Sequence, residues 1–149
     1  MKNWKINYIN LSLQIILICT LFSCNKKKTT HNVPYVPVNL TININLPSYS
    51  GLQGIGGWAY AEGGSKGIII YRQSTSNFVA FDRQSTVDDG LKCDGIVPDS
   101  SNFLILNDPC GDSQFLLTDG SVYHGPAEYG LRGYKAMFDG SYTLTIVNY

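Results

Sequence analysis

Between Val38 and Leu46 the chain alternates strictly, with apolar Val38, Leu40, Ile42, Ile44 and Leu46 separated by polar Asn39, Thr41, Asn43 and Asn45. A period of two puts every apolar side chain on one face of a strand, which a helix of the same sequence could not do. Pro47 closes the run, since it has no N–H to give to a ladder. The same reading predicts strands over Gly57–Glu62, Gly67–Arg72, Asn77–Asp82, Asn102–Asn107, Ser113–Leu117, Tyr134–Phe138 and Tyr142–Asn148. Glu62-Gly63-Gly64-Ser65, Asp119-Gly120 and Asp139-Gly140 supply residues that accept hairpin geometry. No stretch of ten or more residues shows helical spacing. Eight short strands with tight turns predict an all-β fold, a small β-sandwich or stacked antiparallel sheets.

The first residues follow a different logic. Lys2 and Lys5 form a basic start, Leu11–Phe22 is an apolar stretch of 12 residues, and Leu21-Phe22-Ser23-Cys24 has the small-residue-then-Cys ending of a bacterial lipobox. That stretch is too short to span a bilayer. The expected organisation is a lipoprotein signal at 1–23, a flexible tether at 24–33 starting with lipidated Cys24, and a β domain at 34–149. Acyl chains on Cys24 would anchor the chain to a membrane of the bacterial cell envelope, on its periplasmic or surface side. Lys26–Lys28 and the absence of apolar periodicity mark the tether as a solvated spacer.

Charge narrows the partners. All 11 acidic residues lie after residue 60, and from Thr29 onward 6 basic residues face 11 acidic ones, leaving about five net negative charges. Nucleic acid is therefore not an expected partner. With Cys19 in the signal and Cys24 lipidated, only Cys93 and Cys110 remain in the domain, and disulfides persist in that compartment. A structural bridge, two free thiols and a redox-active pair are all open. The pair lacks the Cys-x-x-Cys spacing that depresses a thiol pKa.

Residues 108–127 carry the most specific pattern in the chain. Pro109, Ser113, Phe115, Asp119, Gly120, Val122, Gly125, Pro126 and Ala127 follow the order of a loop that usually reads Cys-Pro-x-His-Gly-Ser-x-Phe, then Asp-Gly-x-Val and Gly-Pro-Ala. Ala80-Phe81-Asp82 similarly opens a loop that usually continues to Cys-x-His. Both resemble the iron-binding loops of Rieske [2Fe–2S] domains, and small lipoproteins of that type in Bacteroidetes-like bacteria resemble the chain over about residues 33 to 149. The resemblance implies stacked antiparallel sheets and two loops facing each other. It also marks Ser85 and Asp108 at the cysteine positions and Val87 and Gly111 at the histidine positions. A Rieske cluster takes two thiolates on one iron and two imidazoles on the other, and none of the four ligand types is present. No iron–sulfur cluster is expected, although one is the family's cofactor. In the high-potential branch of the family the position of Cys110 is often a cysteine bridged to the first loop, which implies a Cys93–Cys110 bridge.

Other chemistries find less support. His124 reads as a surface or capping residue, and Asp88, Asp89, Asp94, Asp108 and Asp112 lack a metal-binding spacing. No Gly-x-Ser-x-Gly elbow is present, and Gly51–Gly57 reads as a flexible connection between strands. Trp58, Tyr60, Tyr71, Phe78, Phe81 and Phe115 are expected in the core. The sequence thus suggests no catalytic residues. The expected function is a membrane-anchored, non-catalytic binding or structural module with an unknown envelope protein partner. The alternatives are a Rieske-type electron-transfer protein with substituted ligands and a thiol–disulfide redox module using Cys93 and Cys110.

Overall fold

The computed structural model describes residues 33–87 and 92–149. Among the described residues ten strands run in chain order: β1 (Asn39–Asn43), β2 (Trp58–Ala61), β3 (Ile68–Arg72), β4 (Phe78–Asp82), β5 (Val97–Pro98), β6 (Ile105–Asp108), β7 (Ser113–Leu116), β8 (Val122–His124), β9 (Gly133–Phe138) and β10 (Thr143–Val147). They form two antiparallel sheets, one of six strands in the order β1-β10-β9-β4-β3-β2 and one of four in the order β5-β6-β7-β8. The larger sheet curls into a half-barrel. The fold is all-β, as the alternation predicted.

Two cores follow from this arrangement. Ile42, Ile44, Leu52, Ala59, Ile68, Ile70, Leu144 and Ile146 fill the inside of the curl. Ile69, Tyr71, Phe81, Leu106, Phe115 and Leu117 fill the layer between the curl and the smaller sheet. The Ile68-Ile69-Ile70-Tyr71 run of β3 feeds both: Ile68 and Ile70 face one core, Ile69 and Tyr71 the other. A strand buried on both faces reads as a continuous apolar run rather than an alternation. Each of its isoleucines is fully buried, a gain of about 1.5–3 kcal/mol per side chain before conformational entropy is counted.

Several elements differ from the sequence reading. β1 stops at Asn43, and Leu46 is half exposed because Pro47–Leu52 form a short 3-10 helix that packs against β2 and β3. The Gly51–Gly57 segment, expected to be a flexible connection, is pinned near its ends, while Gly54 and Ile55 in its middle are exposed. A β-carbon at Gly51 would lie 2.2 Å from the Trp58 carbonyl oxygen, and Arg72 Nη1 holds the Leu52 and Gln53 carbonyls at 3.0 and 2.9 Å. Asn102–Leu104 lie in a turn rather than at the start of β6, because Asp99 Oδ1 accepts the Ser101 and Asn102 amides at 2.8 and 2.9 Å. Val33, assigned to the tether, is buried, and its carbonyl accepts Arg132 Nη2 at 2.7 Å. Packing therefore begins ahead of Pro34. The signal, Cys24 and the rest of the tether lie outside the described residues.

Candidate functional site

Asp82, the last residue of β4, is fully buried. Its Oδ2 accepts the Ser65 amide and the Tyr134 hydroxyl, both at 2.7 Å, and its Oδ1 accepts the Gln84 amide at 2.9 Å and the Lys66 amide at 3.2 Å. A buried carboxylate is tolerable only when its lone pairs are used, and here they fix the 63–66 turn against the chain leaving β4. Burial pushes the Tyr134 phenol well above its ordinary range, and the bond to Asp82 adds to the shift. The strand end is thereby locked, and the next residues enter the layer between the sheets. Ser85, Thr86 and Val87 are all buried there.

The second loop comes from the β6–β7 hairpin, in which Asp108 pairs with Ser113. Asp108 Oδ1 accepts the amides of Cys110 and Gly111, each at 3.0 Å, so its side chain builds the turn that follows it. Asp112, at φ +48°, completes the reversal in a conformation that Asp tolerates better than most residues. Ser113 Oγ donates to the Gly111 carbonyl at 3.0 Å and accepts the Ala127 amide at 3.1 Å. The Gly125-Pro126-Ala127 segment is thus tied to the back of the hairpin.

The two loops meet directly. Ser85 Oγ donates to Asp108 Oδ2 and accepts the Val87 amide at 3.1 Å. A β-carbon at Gly111 would lie 2.8 Å from Val87 Cγ2 and 2.3 Å from Asp108 Oδ2. Only glycine lets the hairpin approach this closely. Ser85, Val87, Asp108 and Gly111 therefore converge, in the pairs Ser85–Asp108 and Val87–Gly111. Cys93 and Cys110 form a disulfide with a Cα–Cα distance of 6.1 Å, closing the same two loops. Cys93 is buried, whereas Cys110 is exposed at the hairpin tip beside exposed Pro109 and Asp112. Thr86, which the sequence reading passed over, adds a bond from Oγ1 to the Tyr129 carbonyl at 2.8 Å.

These residues do not fit a [2Fe–2S] cluster. Asp108 already accepts three hydrogen bonds and is buried, Cys110 Sγ is bonded to Cys93 Sγ, and neither Val87 nor Gly111 offers a side-chain lone pair. The two loops are in contact at Gly111, with no room there even for a β-carbon. Nor is Ser85 placed as a nucleophile: it is buried, and its hydroxyl is engaged on both sides. His124 is exposed on edge strand β8, the surface position read from the sequence. Asp88 and Asp89 lie outside the described residues, among which no three His, Cys, Asp or Glu residues gather into a metal-binding group. Of the aromatics assigned to the core, Tyr71, Phe78, Phe81 and Phe115 are buried. Tyr60 is 38% exposed instead, because it points outward from edge strand β2.

No protein-family model matches the chain, and no curated protein matches it.

Proposed function

We propose that the chain is a lipid-anchored module of the bacterial cell envelope, built on a Rieske-type β domain whose cluster position has become a hydrogen-bonded clasp. One observation carries this reading. The two positions that hold thiolates in the family pattern, Ser85 and Asp108, bond to each other, and the two that hold imidazoles, Val87 and Gly111, touch each other. That is the pairing expected where each iron takes two like ligands, one from each loop. The Cys93–Cys110 bridge across the same loops supports the reading further.

The module is non-catalytic and works by binding or by structural support. A clasped tip with Pro109, Cys110 and Asp112 exposed presents rigid backbone to an envelope protein partner, at less ordering cost than a free loop. Cys24 carries the lipid, and the lysine-rich tether sets the reach from the membrane. Electron transfer through substituted ligands would require freeing Asp108 from three donors and Cys110 from its disulfide.

Two measurements test this. Purified full-length protein should lack stoichiometric iron, acid-labile sulfide and visible charge-transfer absorption, and finding them would overturn the non-redox reading. The Cys24→Ser variant should move from the membrane to the soluble fraction. Retention of that variant in the membrane would count against lipidation.

A further inference from the structure

Edge strands β1 and β2 of the curled sheet leave a groove between them of about 510 Å³. Small-molecule sites span about 300–1,000 Å³, so the volume suits a ligand rather than a few waters. Leu40 and the rings of Tyr49 and Tyr60 supply apolar surface, while Ser48, Glu62, Arg83 and the two phenol hydroxyls supply polar groups.

Arg83 is the informative residue. Its guanidinium carbon stands 4.0 Å from the centre of the Tyr60 ring, and Nε donates to the Ile96 carbonyl at 2.9 Å. Stacking fixes the plane of the fork and the Nε bond fixes its rotation, so little entropy remains to be lost on binding. Among the described residues no acceptor is bonded to Nη1 or Nη2. Arg72 is the contrast, with Nε and both Nη atoms spent on the carbonyls of Leu52, Gln53, Ser74 and Thr75. Burial pushes the Tyr60 phenol upward against the pull of Arg83, so no phenolate neutralises the guanidinium. Glu62 is exposed and, among the described residues, carries the only opposing charge in the groove lining. It penalises a dianion more than a monoanion.

We propose that this groove binds an amphipathic monocarboxylate, its carboxylate gripped by Nη1 and Nη2 of Arg83 and its apolar body lying against Leu40, Tyr49 and Tyr60. A fork with two parallel donors, unspent among the described residues, matches the two oxygens of a carboxylate. The proposal stands apart from the loop clasp and does not depend on the family reading.

The test uses full-length protein in a neutral maltoside detergent, titrated by calorimetry with sodium phenylacetate, phenylacetamide and inorganic phosphate. Phenylacetate should bind saturably, with phenylacetamide and phosphate each weaker by about tenfold or more. Arg83→Gln should weaken phenylacetate by about tenfold or more. Glu62→Gln should tighten it, because a like charge is removed. Arg83 also ties down Ile96, so the thermal midpoint of Arg83→Gln is measured alongside. If that variant does not fold, Glu62→Gln and the amide comparison decide. The proposal is overturned by absence of saturable phenylacetate binding, by phenylacetamide or phosphate binding as tightly, by a folded Arg83→Gln that binds normally, or by weaker binding in Glu62→Gln.

Discussion

Removing the Asp108 carboxylate should damage the domain more than any other single truncation in the two loops. In Asp108→Ala the Ser85 hydroxyl and the Gly111 amide lose their acceptor in a buried setting, and the Cys110 amide loses its acceptor nearer the surface. Each buried orphan costs about 1–3 kcal/mol and the partly hydrated one about 0.5–1.5 kcal/mol, for a total of about 3–5 kcal/mol after some relaxation. Asp108→Asn keeps an oxygen for both amides and turns its nitrogen toward Ser85 Oγ, so it should cost only about 1 kcal/mol. The gap between the two variants is the informative quantity. Urea unfolding followed by far-ultraviolet circular dichroism, with the disulfide intact, measures it at fixed m. A cycle through Ser85→Ala, Asp108→Ala and the double variant should give a coupling of about 1 kcal/mol or more across the loops. If Asp108→Ala costs under about 1 kcal/mol, or matches Asp108→Asn, Asp108 does not organise the clasp, and the reasoning fails.

Three further outcomes are expected. Replacing both Cys93 and Cys110 with Ser should cost about 3 kcal/mol, from the closure entropy of a bridge whose ends are 17 residues apart. A structural bridge should also stay oxidised in a glutathione buffer, and its ready reduction would support a thiol-exchange role instead. Gly64→Ala should lose about 2–4 kcal/mol, since φ is +63° and the new methyl would sit 2.5 Å from Asp82 Oδ2 and 2.6 Å from the Tyr134 hydroxyl oxygen. A near-neutral result would mean that Asp82 does not need that close turn. Lastly, bonds from Ser101 to Asp99, from Ser121 to Asp119 and from the Ser141 amide to Asp139 hold these carboxyls below their ordinary 3.8. A carboxyl depressed by folding stabilises the protein above its unfolded value and stops doing so as pH falls through the lower folded value. The urea midpoint should therefore drop as pH is lowered from about 4 toward 2, and less steeply in Asp99→Asn. An acid-insensitive midpoint would contradict this.

Much of the fold could be read from the chain because its strands are long enough to carry a pattern. The alternation around Ile42 and the Ile68–Tyr71 run each place a strand, and the second strand turns out to serve two cores. β5 and β8, with two and three residues, carry no period and exist only because β6 and β7 offer them partners. Nothing in Pro47-Ser48-Tyr49-Ser50 announces a 3-10 helix, since its place is set by packing against β2 and β3. At the loop site, the resemblance to Rieske iron-binding loops marked Ser85, Val87, Asp108 and Gly111. The bond between Ser85 and Asp108 and the role of Thr86 depend on tertiary packing that brings distant segments together. The groove was the least legible feature: Leu40 and Tyr60 meet only because opposite edges of one sheet face each other.

On the reading proposed above, the two loops follow the Rieske pattern and are closed by different residues at its four ligand positions. Restoring those positions tests it most directly. The variant Ser85→Cys, Val87→His, Asp108→Cys, Gly111→His removes the clasp and the crowding at Gly111 together, since Val87 and Asp108 are the side chains a β-carbon there would strike. After reconstitution with iron and sulfide, wild-type and quadruple-variant proteins are compared by visible absorption and by electron paramagnetic resonance of the reduced state. The expected result is a [2Fe–2S] signal with histidine-ligated character in the variant and none in the wild type. A cluster in the wild type, or a folded variant that takes up none, would contradict the claim.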